Sequence, residues 1–313
     1  MHIQGEDKKM LKNLSCALHR TVDSVKRWIE GNLYKKMPTQ YISEVSGYCG
    51  RYLREGFKKM TGMSLVRYIR LRKLTEAAHL LRLTGRPVTE IAMLYAFSSL
   101  QSFSRAFSRH FGISPQNYRL NEYWDLHHSL PAPVHTNFRY TCQRLYRGGL
   151  WLKPLNHQKI KIPLKKRLVI TERGELRDEL YTLLYNRLFR HNRLAEFTVL
   201  THMVNRDTHD LWLHTTTCSR TQTEDPGALF IPPGEWIHFT FSGILKKVMA
   251  FHQWVVAHGL KKHHVSLKGN TTTTVYHRHP DKPDWYTASY CLPCSPAGIS
   301  RHTRRNREAL PAV

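Results

Sequence analysis

Gln101, Ser104, Arg105 and Ser108 recur at intervals of three and four residues, which places them on one side of an α-helix. All four side chains can hydrogen-bond, and Arg105 can take the edge of a guanine or hold a phosphate. Phe103, Ala106, Phe107 and His110 fall on the opposite side. Fifty residues earlier Arg51, Arg54, Glu55 and Lys58 form a comparable outward set with more charge. Glu55 has two readings there. Its carboxylate pairs with Arg51 or Lys58 at helical spacing and softens the charge, or it accepts from the amino group of a cytosine.

The segment that must position the first set spans residues 87–119, PVTEIAMLYAFSSLQSFSRAFSRHFGISPQNYR. Thr89 is placed to cap a short helix carrying Ile91, Ala92 and Tyr95 at helical spacing. A break over 96–99 precedes a second helix, over 100–110, which Gly112 ends; Ser114 and Pro115 open a further helical turn. A helix that packs down, followed by one with a polar outward face, is the pattern of a helix-turn-helix reader of the DNA major groove. A helical pair that only packs is the plain alternative.

The pattern occurs twice. Leu53, Phe57, Gly62, Ser64 and Tyr68 have partners fifty residues on in Phe103, Phe107, Gly112, Ser114 and Tyr118. Before the turn the offset is forty-nine, pairing Ile42 with Ile91 and Tyr48 with Phe97, so the second turn is one residue longer. In the first copy Thr39 caps a helix with Ile42 and Val45, and Gly47 and Tyr48 form the break. A constant period shared by core positions marks two copies of one unit. Between them Leu65, Ile69, Leu74, Ala77, Ala78 and Leu81 make the apolar stripe of one long helix, a bar holding two modules at a fixed distance. Two reading helices so mounted reach successive major grooves, about 34 Å apart, and imply an asymmetric site read by a monomer. Ahead of this, residues 1–15 read as a loose start and a helix begins near Thr21, running through Val25, Trp28 and Ile29.

The run over 91–119, with F-x-R-x-F-x-x-x-F-G-x-S-P-x-x-Y-R inside it, resembles the second helix-turn-helix of the AraC/XylS transcription regulators. Residues 20–124 are most similar to the MarA/SoxS/Rob branch of that family. The resemblance implies double-stranded DNA and RNA polymerase as partners, no catalysis and no cofactor. One departure stands out: where the family's first reading helix has S-K-x-x-L-x-R-x-F, this chain has Cys49-Gly-Arg-Tyr-Leu-Arg-Glu-Gly-Phe57, with Glu55 at the place of an arginine. That puts the family's usual box sequence in doubt, not DNA binding itself.

The 313 residues suffice for two domains, and 48 Lys and Arg against 23 Asp and Glu give a net charge of +25 and a pI near 10. Residues 1–126 hold 21 basic and 10 acidic side chains and residues 127–313 hold 27 and 13, so charge alone does not locate a DNA site. No apolar run approaches the ~20 residues of a membrane span, and the N-terminus has no signal-peptide core, which implies a cytoplasmic, nucleoid-associated protein. Six dispersed cysteines argue against disulfides. Cys291 and Cys294 have the spacing of a zinc ligand pair, but the stretch reads better as a strand, with metal assigned to none. The chain has no P-loop, dinucleotide fingerprint or paired-His helix. An alkyl-accepting repair enzyme is the enzymatic rival, and Cys16, Cys49 and Cys142 are too scattered for its thiolate cluster.

Beyond residue 125 the period changes. Pro131, Pro133 and Arg147-Gly-Gly149 read as a linker over 126–155, with Phe138, Tyr140 and Tyr146 leaving room for a strand. Strands follow at 160–162, 168–170, 197–200, 211–214, 236–241, 273–276 and 285–291, with helices at 176–189 and 244–257. Strand, helix, strand, strand thus occurs twice, an α+β domain over 156–313 with a solvated basic tail. With the run from Gly234 to Phe241, it resembles a GyrI-like effector-binding domain. The fold class is therefore multidomain: an all-α double helix-turn-helix over 1–125 and a GyrI-like α+β domain. The resemblance implies a cleft between the two halves for apolar or cationic small molecules, with a small apolar effector as the candidate. Trp236, Phe239, Trp254, Tyr276 and Trp285 are its candidate lining, although plain core is the stronger reading for most of them. The sequence Tyr276-His-Arg-His279 disfavours a cationic ligand by Coulomb repulsion. The leading function is a sequence-specific activator, and the alternative is an architectural or origin-type DNA-binding protein without a regulatory ligand.

Overall fold

The computed structural model describes residues 3–38, 42, 44, 49–133, 138–162, 177–204, 209–221 and 225–296, with side chains from residue 17 onward. The expected helix of the first module before residue 49 lies outside these residues except for Ile42 and Glu44, as do the strand at 168–170 and the basic tail. Two compact units divide the chain.

The first unit comprises Met1–His79, Val88–Gly112 and Ser129–Pro133. It holds helices α1 (Ile3–Gly31), α2 (Gly50–Thr61), most of α3 (Leu65–Leu83), α4 (Val88–Leu94) and α5 (Leu100–Phe111). Helix α1 starts eighteen residues before Thr21, against the expected loose start. Lys, Met, Leu and Glu in that stretch favour helix without the apolar periodicity that would reveal it. Thr89 is not a cap: α4 already begins at Val88, after Pro87, whose fixed φ and missing amide suit a helix start.

Helix α3 buries the expected stripe and more. Leu65, Leu74, Ala77, Ala78 and Leu81 are buried, and so are Arg72, Lys73 and Thr75. Arg72 donates from Nε to Glu30 Oε1 at 2.6 Å, from Nη2 to Glu30 Oε2 at 2.8 Å and to Glu76 Oε1 at 2.7 Å, and from Nη1 to the Leu130 carbonyl. Burial alone would lower its pKa, but the two carboxylates outweigh it and hold the charge. Lys73 donates to the carbonyls of Lys35, which follows α1, at 2.8 Å and of Tyr95, just after α4, at 2.9 Å. Desolvation lowers its pKa to about 8.

The second unit comprises Leu80–Pro87, Ile113–His128 and Val134–Val313. Its sheet is antiparallel throughout, in the order β2 (Thr141–Arg147), β7 (Gly234–Ile244), β10 (Trp285–Pro296), β9 (Thr271–Arg278), β4 (Glu196–Val204), β5 (Leu211–Arg220), β3 (Leu150–Ile162) and β6 (Leu229–Ile231). The end of β10 also carries β8 (Val265–Lys268), and β8 carries β1 (Tyr123–Trp124). Strands β2 and β3 occupy part of the stretch expected as linker. Strand β2 is an edge strand of Thr, Gln and Arg with no residue fully buried, so no alternation announces it.

Helix α6 (Pro115–Leu120) precedes β1; α7 (Asp178–Leu188) follows β3. Helix α8 (Leu245–Trp254) continues as a π-helical turn over Val255–Gly259 and a last turn, α9 (Leu260–Lys262). Among the described residues β3, α7, β4 and β5 follow one another as strand, helix, strand, strand, whereas β7 and α8 are followed, after α9, by three strands, β8, β9 and β10. One face of the sheet is covered by these helices: Phe251 stacks on Phe241 at 4.9 Å between ring centres, and Phe189 meets Tyr276 edge-on at 5.1 Å. In the same unit the end of α3 is tied to the segment after α6. Arg82 donates to the carbonyls of Tyr118, Arg119 and Asn121 and lies 5.8 Å from the Trp124 ring centre. Trp124 is buried and pairs with Leu267 of β8.

Candidate nucleic-acid interface

In the first unit each helix expected to carry a reading face has its inner side anchored. On α2 Leu53, Gly56 and Phe57 are buried. Gly56 lets α1 approach closely, since a Cβ there would lie 2.5 Å from Leu18 Cδ1. Phe57 meets Tyr68 edge-on at 5.2 Å. Gly62 ends the helix at φ +72°, a left-handed conformation in which its amide caps the Lys58 carbonyl. With that side fixed, Arg51, Arg54, Glu55 and Lys58 all point to solvent. The structure pairs two of them: Arg51 Nε donates to Glu55 Oε1 at 2.9 Å. Cys49 precedes the helix and forms no side-chain cap hydrogen bond, while the amides of Arg51 and Tyr52 lower its thiol pKa.

Helix α5 repeats the design with different outer chemistry. Phe103 and Phe107 are fully buried, with rings 5.6 Å apart, and Phe97 packs edge-on against Phe103 at 5.1 Å. Ala106 and His110 of the expected inner side are only half-buried. Ser99 caps the helix by accepting from the Ser102 amide at 3.1 Å, and Gly112 at φ +77° closes it on the Ser108 carbonyl. Gln101 and Arg105 are exposed, one turn apart, while Ser104 and Ser108 flank them half-buried. Sequence reasoning passed over Arg109, which continues this exposed ridge at the next turn. The turn before α5 holds Ala96 at φ +55°, with the Phe97 amide donating to the Ala92 carbonyl at 3.1 Å. What these faces can do is donate to base edges and phosphates; only Glu55 among them accepts without donating.

The five candidate effector residues do not form one lining. Phe239 and Trp254 lie on the helix-covered face with Tyr140, whose ring is 5.9 Å from Phe239 and 5.2 Å from Trp254. Tyr276 shares that face but stacks on Phe197 at 5.2 Å. Trp236 lies on the other face with Leu152, Cys218, Ile231 and Cys291, and Trp285 carries Lys282 4.9 Å from its ring centre. The difference is one of parity: positions 236 and 239 of one strand point to opposite sides. The same rule puts Cys291 and Cys294 on opposite faces of β10. The register brings residues that sequence reasoning missed to the Trp236 side. Arg147 sits 4.8 Å from the Trp236 ring centre, and buried polar atoms of Arg147, His238 and Thr273 have no hydrogen-bond partner among the described residues. Burial and Arg147 both lower the His238 pKa. Alternation along β7 was the available signal for His238, while Arg147 lies on β2, which has none, and Arg147-Gly-Gly149 reads as a linker.

Residues 42–121 match a family model described as a helix-turn-helix domain. The chain is 44% identical over 109 residues to the transposon Tn10 TetD protein of Escherichia coli, covering 34% of this chain and 79% of that protein. It is 39% identical over 112 residues to the multiple antibiotic resistance protein MarA of Salmonella typhimurium, covering 36% and 88%. Over 95 residues it is 44% identical to the HTH-type transcriptional activator AarP of Providencia stuartii, covering 30% and 70%.

Proposed function

The chain belongs to the AraC/XylS family of helix-turn-helix transcription regulators, and from that premise we propose that it is a sequence-specific activator binding one asymmetric DNA site as a monomer. The reading is carried by the outward polar faces of α2 and α5, which belong to one compact unit and flank α3. Two reading helices on one chain enter successive major grooves about 34 Å apart. Arg51, Arg54, Glu55 and Lys58 face one box; Gln101, Ser104, Arg105 and Ser108 face the other. The two sets differ in chemistry, so the boxes differ in sequence. The +25 net charge adds a salt-dependent attraction to phosphates. RNA polymerase is the partner an activator of this kind works through, and AarP is an activator by name.

Residues 156–313 form the effector-binding part in this reading, GyrI-like and selective for a small apolar molecule without positive charge. The strand, helix, strand, strand order supports it, and Arg278 between His277 and His279 opposes a cation. Selecting bound duplexes from a random pool, then weighing the full-length complex by sedimentation, tests the main proposal. A two-box, asymmetric consensus bound one to one is expected. A palindromic site bound by two chains overturns the monomer, and no consensus at all leaves an architectural binder.

A further inference from the structure

Glu55 and Arg51 are the exposed pair on α2, joined at 2.9 Å, with side chains 68% and 83% accessible. Arg51 uses only Nε in this contact, so both Nη groups remain to donate, and Glu55 keeps its second oxygen, with no other hydrogen bond for either among the described residues. The helix below them cannot roll, because Leu53 and Phe57 are buried and Gly56 is closed against Leu18. An unpaired arginine in this position is a long, freely rotating cation that phosphates attract from either side. A carboxylate one turn on changes both facts. It holds the guanidinium by its inner nitrogen, and its own charge repels phosphate.

We propose that Arg51 and Glu55 act as one unit in which Arg51 donates its two Nη groups to the O6 and N7 of a guanine, and Glu55 is the positioning residue that aims it. The inference rests on the DNA-binding reading above and sharpens it: the box under α2 contains one obligatory G·C pair, set by a residue that touches Arg51 and not the base. Glu55 thereby lowers affinity for DNA at large and raises discrimination at one position.

The test uses the full-length protein on its selected site and on every single-base change within the α2 box. Wild type, Arg51→Ala, Glu55→Ala, Glu55→Gln and the double Arg51→Ala/Glu55→Ala variant are compared by competition binding at several salt concentrations. All four variants change only exposed positions, and unchanged circular dichroism checks the fold. Arg51→Ala should abolish a guanine preference worth roughly 5- to 150-fold, the range of one bidentate contact. Glu55→Ala should lose most of the same preference at the same base pair while binding random DNA more tightly, with a steeper salt dependence. Glu55→Gln, whose amide oxygen still accepts from Nε, should retain more discrimination than Glu55→Ala. The double variant should discriminate no worse than Arg51→Ala alone. Discrimination unchanged in Glu55→Ala makes the contact a plain surface pair and overturns the proposal, as does a loss at a different base pair, which would mean Glu55 reads cytosine independently. A wild type that selects no sequence refutes the DNA-reading premise itself, a result distinct from either.

Discussion

Helices α2 and α5 are each twelve residues long, each end at a left-handed glycine, and each bury an aromatic two turns before that glycine or nearer. Their outer faces share almost nothing. The first shows three cations and an acid, two of them paired; the second shows an amide, hydroxyls and one outward arginine between Gln101 and Arg109. The contrast separates two kinds of constraint. Inner positions answer to packing against the rest of the unit, which admits few side chains. Outer positions answer to whatever they touch, and there the two copies of one scaffold differ.

The equivalence of the inner halves is open to the strongest test. Phe57→Ala and Phe107→Ala each remove a fully buried ring and should cost a similar ~3–5 kcal/mol in urea unfolding followed by helical signal. A cost below about 1 kcal/mol at one site would show that the two copies are not held alike. The outer halves predict smaller and unlike effects. Arg105→Ala should leave thermal stability unchanged and weaken binding to the selected site by about 1–3 kcal/mol in gel shifts, confined to one position of the second box. Unaltered affinity would remove α5 from the groove. The caps give the finest contrast. Ser99→Ala should lower stability by about 1 kcal/mol, whereas Cys49→Ser should raise the melting temperature slightly by giving α2 the cap that α5 already has. Equal responses to both would erase this difference between the modules.

Much of this is legible in the sequence. The buried pairs Leu53/Phe57 and Phe103/Phe107, the glycine stops and the long helix follow from period and turn chemistry, which act locally. Helix α1 was half legible, because helix propensity without an apolar stripe leaves no periodic trace. Strand β2 was not, because an edge strand has no buried face to alternate. The faces of the candidate effector residues were hidden for a different reason. Aromatic residues advertise burial but not which side of a sheet they occupy, and that depends on register, a non-local property. The pairing of Arg51 with Glu55 was legible as one of two options at helical spacing; geometry selected the ion pair without removing a role at DNA.

The tie between Arg82, the segment after α6 and strand β8 bears on how this chain can be taken apart. The segment shared with TetD, MarA and AarP makes up 79%, 88% and 70% of those proteins. Here the exit from that segment is a strand, with Trp124 buried and Gly269 donating to the Glu122 carbonyl at 3.1 Å. A protease or a stop codon acting just after α6 would therefore not release a tidy module. It would strip β8 of its edge partner and Arg82 of the Asn121 carbonyl and the Trp124 ring that cover it. Truncations stepped through this segment should lose solubility abruptly at Trp124 instead of tapering.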